Sequence, residues 1–112
     1  MTLDELRDLC MSLPGATEGV KWEDHICFMV GGKMFCITGE QGGASLKVTP
    51  DEFDELTERE GIIPQAYMAH NKWVRIEAFH LLKRKEWEHF VKHSYMLIAA
   101  KLSKKMRDSF QN

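Results

Sequence analysis

Two pairs of adjacent glycines constrain the fold of this chain more than any other feature. Gly31-Gly32 and Gly42-Gly43 lie in the stretch VGGKMFCITGEQGGASLKV, residues 30–48, between short segments rich in apolar side chains. Adjacent glycines are typical of tight hairpin turns, whose central residues need positive φ angles. The sequence therefore predicts antiparallel strands on both sides of each glycine pair.

Helices are predicted where a capping box precedes apolar residues at helical spacing. Thr2 with Glu5 forms one such box, and Thr49 with Glu52 forms another, with a proline at the first helical position. A longer apolar periodicity near the C-terminus predicts a third helix, and an alternating segment before it predicts a further strand. The predicted helices cover residues 3–13, 50–59 and 84–105, the strand covers 72–79, and residues 61–71 are predicted as a loop.

Length and composition fit one soluble α+β domain. The 112 residues are 44% hydrophobic and 29% charged, which is enough to bury a single core. The longest uncharged apolar run, residues 95–100, is too short to span a bilayer, and the N-terminus lacks the pattern of a secretory signal. We therefore expect residues 1–112 to form a single domain in the cytoplasm, without a membrane partner and as a monomer or weak homodimer.

The first glycine turn also predicts which side chains share a face of the sheet. Counting outward from it places Phe28 opposite Phe35. The neighbouring pair is then Cys27 opposite Cys36, at a position where the two backbones approach closely. The face with both cysteines is the more apolar and is expected to pack against the helices, which leaves both phenylalanines on the outer face.

The outer face is predicted to mix basic and aromatic side chains. Alternation along the last strand sends Val74 and Ile76 towards the helices and their neighbours outward. Lysines and aromatic rings on a sheet can hold phosphates and stack bases, as single-strand-binding surfaces do. The competing interpretation is that residues 61–71 cover the phenylalanines and leave an ordinary solvated rim. The candidate nucleic-acid-binding residues are Lys33, Lys47, Lys72, Trp73 and Arg75.

Metal binding is considered at two places and is not predicted at either. His89 and His93 have the i, i+4 spacing that lets two imidazoles share a metal ion, and Glu86 lies one turn earlier. The sequence places no third strong ligand beside them. The acidic residues of the first helix also complement the helix dipole without any ion. We therefore predict neither a metal nor a cofactor.

The sequence contains none of the common catalytic motifs. It has no GxSxG, no P-loop and no GxGxxG. A cysteine nucleophile needs a histidine or a helix N-terminus nearby, whereas Cys27 and Cys36 are predicted in the middle of strands and on the core face. We expect a domain without enzymatic activity that binds nucleic acid, DNA in particular. The alternative is a protein-interaction or metal-handling module that uses the apolar patch of the C-terminal helix or the acidic first helix.

Five landmarks spread over nearly the whole chain carry a family resemblance. The order LPGATEGVKW, FMVGGKMFC, SLKVTPDEF, GIIPQAYMAHNKWV and HSYMLIAAKL resembles the MmcQ/YjbR-like family of small bacterial proteins. The resemblance implies a CyaY/frataxin-like two-layer sandwich, in which an antiparallel sheet has the N- and C-terminal helices packed on one face and its other face open. It also implies the DNA-binding role proposed for that sheet, with Lys33, Lys47 and Trp73 at recurrent positions.

Overall fold

The helices begin where the capping boxes predict. The computed structural model describes residues 1–21, 25–39 and 42–110. In it the hydroxyl of Thr2 accepts from the backbone N–H of Glu5, and Thr49 does the same for Glu52, while each glutamate reaches back to its threonine. The helices are α1 (Leu3–Met11), α2 (Pro50–Thr57), α3 (Arg84–Ala99) and α4 (Lys104–Ser109).

Six strands form one antiparallel sheet in the order β1-β2-β3-β4-β6-β5. All neighbours in this order pair antiparallel, and the hairpin glycines Gly31 and Gly32 have the positive φ angles that a tight turn needs. The short β5 lies within the segment that was predicted to be a loop. The strands are β1 (Ala16–Lys21), β2 (His25–Val30), β3 (Lys33–Thr38), β4 (Ala44–Lys47), β5 (Ile62–Pro64) and β6 (Trp73–Ile76).

The N- and C-terminal helices pack on the same face of the sheet, as predicted. Helices α1 and α3 contact each other, and α3 lies across β3 and β4. The thiols of Cys36 in β3 and Cys10 in α1 are hydrogen-bonded to each other, which identifies the face that the helices cover. Val74 and Ile76 of β6 are fully buried, and Val74 lies in register with Leu46, the cross-strand partner of Cys36. The α+β two-layer architecture is therefore confirmed.

A β-bulge at Phe35 changes the register of the first hairpin. The pairing next to the turn is as predicted, but further along Phe28 pairs with Cys36, and Cys27 pairs with Ile37. The predicted pairing of Phe28 with Phe35 is wrong, and so is the predicted pairing of the two cysteines. One extra residue in β3 shifts every later pair by one position, which exchanges the faces of the β2 side chains.

Because of this bulge, the outer face does not present the two phenylalanines. Phe28 shares the helix-covered face with its partner Cys36, and both it and Phe35 are fully buried. The ring of Phe35 meets Tyr95 of α3 edge to face, with 5.4 Å between centroids. The prediction of exposed phenylalanines is therefore wrong. The competing interpretation is also wrong for Phe35, because α3 rather than the 61–71 segment packs on it.

Ser94 of α3 completes the hydrogen bonding that the bulge interrupts. Cys36 of β3 pairs with Leu46 of β4, and if the ladder continued, the next pair would be Phe35 with Lys47. Instead, the buried hydroxyl of Ser94 donates to the carbonyl oxygen of Phe35 at 2.6 Å and accepts from the backbone N–H of Lys47 at 3.0 Å. The Ser94 side chain thus takes the place of a direct backbone hydrogen bond between β3 and β4, so both backbone groups have a partner.

The C-terminal helix ends earlier than predicted. Helix α3 stops at Ala99, and after a short turn that buries Leu102, the side chain of Ser103 accepts from Met106 and caps a separate helix α4. The prediction of one helix to about residue 105 is therefore wrong. Within the described part of the chain, no helix is long and apolar enough to cross a membrane.

The three cysteines are free and buried. The pKa of the Cys36 thiol lies well above its ordinary value because of its hydrogen bond with Cys10 and its burial.

This burial predicts low thiol reactivity in the folded protein, because the thiolate is the reactive form. We expect Ellman's reagent to react slowly with the native protein. After denaturation, it should react with all three thiols. A rapid reaction of one thiol in the folded protein would contradict this burial.

Candidate functional site

Three of the predicted lysines lie at one end of the sheet. Lys33 begins β3, Lys47 ends β4 and Lys72 directly precedes β6, and the antiparallel order brings these strand ends to the same side. Lys101, which follows α3, lies close enough to Lys47 that, besides burial, its positive charge lowers the pKa of the Lys47 ammonium, so we place it in the same group. We call these four residues the basic end. Lys101 was not among the predicted residues, since its position depends on where α3 ends.

Lys47 is the most constrained member of the basic end. Its Nζ donates to the backbone carbonyl oxygen of Asn71 at 2.5 Å. Its pKa lies below the ordinary value, first because partial burial desolvates the ammonium and second because Lys101 repels it. Among the described residues, neither lysine forms an ion pair with a carboxylate. Two ammonium groups therefore lie near each other, and among the described residues neither has a carboxylate partner.

Lys72 is fixed beside this pair by its backbone. Its carbonyl oxygen accepts from the N–H of Val48 at 2.8 Å, and its own φ of 62° is unusual for a residue other than glycine. Its Nζ lies 4.9 Å from the centroid of the Phe53 ring of α2, within range of a cation–π interaction. Lys33, in contrast, is exposed at the hairpin turn.

Trp73 does not present its ring to solvent. It is on the outer side of β6 but only 5% exposed, and its backbone bonds to Gln65 and Met68 hold the preceding loop against it. Tyr67 of that loop is instead 98% exposed and has a positive φ of 65°. The exposed aromatic ring of the loop before Lys72 is therefore Tyr67, which lines a cleft with His25. The position of Tyr67 in a predicted loop does not by itself indicate this exposure.

Arg75 lies apart from the basic end. It pairs with Ser45 on the outer face, and both line a small cavity with Gln65, whose Oε1 accepts from the Ser45 hydroxyl at 2.6 Å. Of the five predicted residues, the structure thus brings Lys47 and Lys72 close together. It places Lys33 at the same end, buries Trp73 and sets Arg75 further along β6.

The acidic first helix is engaged in ion pairs. Glu5 bonds to Arg84 of α3, and its pKa is lowered by the hydrogen bond to Thr2 and then by Arg84. Glu86, which was considered beside the histidines, bonds instead to Arg59 at 2.8 Å. The arginines therefore neutralise carboxylates across the helix layer. These pairs do not extend to the lysines of the basic end.

A histidine cluster lies between α2 and α3. Oε2 of Glu52 is 3.5 Å from Nε2 of His89 and 3.2 Å from Nδ1 of His93. Burial works to raise the pKa of Glu52, but hydrogen bonds from Thr49 and His93 outweigh it, so the pKa is lowered. The i, i+4 histidine spacing was found in the sequence, whereas Glu52 was read only as a capping residue, because nothing local indicates that α2 packs beside α3.

The fold, together with a match to a known protein family, defines the class of this protein. An antiparallel sheet with the terminal helices on one face is a two-layer α+β sandwich. The model of the YjbR family matches residues 11–97, and this chain belongs to that family. A comparison with functionally described proteins found no match.

Two solved structures share the fold. A Deinococcus radiodurans protein with a DUF419 domain is 26% identical, with a TM-score of 0.86 over 97% of this chain and 87% of its own. A Pseudomonas syringae protein is 20% identical, with a TM-score of 0.72 over 88% of this chain and 99% of its own. These similarities describe a fold.

Proposed function

We propose that this YjbR domain binds nucleic acid weakly, mainly through phosphate contacts at the basic end. The observation that carries the proposal is the proximity of Lys47 to Lys101 without a carboxylate partner among the described residues. A phosphate placed between two ammonium groups relieves their repulsion and favours their charged forms. Lys72 and Lys33 extend the same positive surface, which suits a backbone that carries a charge at every nucleotide.

Tyr67 supports single strands as the preferred form of nucleic acid. Its exposed ring lies in the loop that ends at Lys72, so in the proposed arrangement a strand with a base stacked on Tyr67 also reaches Lys72. Stacking on an aromatic ring accepts any base, because every base has a π-face. The proposed binding is therefore poorly selective for sequence. In this arrangement Tyr67 takes the stacking role that was predicted for Trp73.

Charge removal at the basic end tests the phosphate contacts. We expect the double variant Lys47→Gln/Lys101→Gln to flatten the slope of log affinity against log salt. Two lost contacts correspond to ~1.4 units on single strands and ~1.8 on duplex DNA. Fluorescence anisotropy of labelled oligonucleotides at several salt concentrations measures the slope.

The matched controls separate this surface from charge in general. Lys85→Gln removes an exposed charge at the opposite end of α3 and should leave the slope unchanged. Tyr67→Ala should weaken single-strand binding by ~1 to 3 kcal/mol and leave the slope nearly constant. Equal effects of the Lys47/Lys101 and Lys85 changes, or no binding of the unaltered protein at low salt, would reject the proposal.

A non-enzymatic role is part of the proposal. The buried thiols of Cys27 and Cys36 have raised pKa values, chiefly through burial for the first and through the Cys10 hydrogen bond for the second, which makes them poor nucleophiles. The alternative is a protein-interaction surface on α3, where Met96 is 54% exposed between two apolar clefts. Failure to bind either form of nucleic acid would favour that alternative.

A further inference from the structure

We propose that Glu52, His89 and His93 form a site for a divalent transition-metal ion, with zinc as the expected occupant. This inference stands apart from nucleic-acid binding, because it uses different side chains and a different kind of ligand. Among the described residues, these three are the group whose donor atoms all lie within 4.8 Å of one another. Imidazole nitrogen and carboxylate oxygen are both common zinc ligands.

Two of the three distances between the donor atoms fit a tetrahedral ion, and the third, between the two histidine nitrogens, is at most 4.8 Å. With metal–ligand bonds of about 2.1 Å, the edge of a ligand tetrahedron is about 3.4 Å. Oε2 of Glu52 lies 3.2 Å from Nδ1 of His93 and 3.5 Å from Nε2 of His89. The two imidazole rings are 4.1 Å apart between centroids. An ion could therefore be held with only small side-chain rotations.

The carboxylate is oriented before any ion arrives. Oε1 of Glu52 accepts from the backbone N–H of Thr49 at 2.9 Å, as part of the capping box of α2. This bond leaves Oε2 directed at the histidines, and the glutamate side chain is only 16% exposed. A ligand held by an outer hydrogen bond loses little conformational freedom on binding, which is how metal sites commonly fix their carboxylates.

Both imidazoles turn towards the same carboxylate oxygen. Nε2 of His89 and Nδ1 of His93 lie on the same side as Oε2 of Glu52, which brings three donor atoms of zinc-binding types together. A metal ion held there would bind both rings in their neutral form.

Three protein ligands leave one tetrahedral position for an exchangeable ligand. His93 also lines a cleft of about 290 Å³ with Met96, Leu97 and Ala100. A water molecule or small anion in this cleft would come within reach of an ion held by His93. Three ligands with an open position are typical of zinc sites that exchange ligands, whereas closed structural sites have four protein ligands.

Zinc titration against a chromogenic chelator tests the site. The unaltered protein should bind one equivalent, and His93→Ala and Glu52→Gln should each weaken binding by about 10-fold or more. Glutamine retains the capping function at position 52, so α2 should remain folded in the second variant. Circular dichroism verifies that both variants are folded before titration.

A matched histidine variant controls for non-specific binding. His70 is exposed and lies outside the cluster, so His70→Ala should bind zinc as the unaltered protein does. Cobalt should give the intense visible absorption of a tetrahedral complex with the unaltered protein and lose it with His93→Ala. The proposal is overturned if zinc binding is absent, if all variants bind equally, or if the His70 change is as damaging as the His93 change.

Discussion

Replacing Ser94 by alanine is expected to lower the free energy of unfolding by about 2 to 4 kcal/mol. The substitution removes both hydrogen bonds at the bulge and leaves the carbonyl of Phe35 and the N–H of Lys47 without a partner. An unsatisfied backbone group in a buried position costs about 1 to 3 kcal/mol. Chemical denaturation followed by tryptophan fluorescence or circular dichroism gives the change directly.

Ser109→Ala provides the control for Ser94→Ala. Ser109 is exposed, and its hydroxyl donates only to the carbonyl oxygen of Met106 within α4. This variant should change stability by no more than about 0.5 kcal/mol, as is usual for surface substitutions. If both variants proved equally stable, Ser94 would not have the bridging role that its geometry indicates.

The second large effect is expected at Gly43. A methyl group at this position would lie 1.9 Å from the carbonyl oxygen of Ile76, on the neighbouring strand β6, and the φ of 72° is also unfavourable for alanine. The left-handed conformation costs about 1 to 2 kcal/mol and a forced shift of packed atoms about 1 to 3 more. Gly43→Ala should therefore reduce stability by about 2 to 5 kcal/mol, measured by denaturant unfolding.

Gly32→Ala separates the two contributions. Gly32 has a similar φ of 78°, but an added methyl group would meet no atom within 4 Å. Its substitution should cost only the conformational part, about 1 to 2 kcal/mol. The difference between the two variants then measures the close approach of β4 and β6. Equal losses for both variants would show that this approach is not tight.

Local signals in the sequence were enough to predict the class of fold. Capping boxes at Thr2 and Thr49 and the paired glycines act within a few residues, so they mark the ends of elements without knowledge of the rest of the chain. Alternation in β6 correctly assigned Val74 and Ile76 to the helix-covered face. The bounds were less accurate at the end of α3, where the break after Ala99 follows no glycine or proline.

The bulge could not be predicted because its cause is remote in sequence. Phe35 is an ordinary strand residue, and nothing beside it indicates that β3 holds one residue more than its partner. Its extra backbone carbonyl is satisfied by Ser94, 59 positions away, on a helix whose packing had to be known first. A period-2 count therefore assigned Phe28 and Cys27 to the wrong faces.

The candidate sites show the same division between local and remote information. The spacing of His89 and His93 is local and was found, whereas Glu52 reaches them only because α2 packs beside α3. Lys47 and Lys72 were assigned from strand position. The exposure of Tyr67 and the burial of Trp73 depend on how one loop folds back, which residue types alone do not specify.

The strand order makes β1 and β5 the edge strands of the sheet, and their sequences make both poor partners for another chain. Strand β5 is only three residues long and ends in Pro64, which has no N–H to donate. Strand β1 presents the exposed charges Glu18 and Lys21. Short, charged or proline-containing edge strands discourage strand addition between molecules, so these edges protect the sheet against aggregation with other copies of the chain.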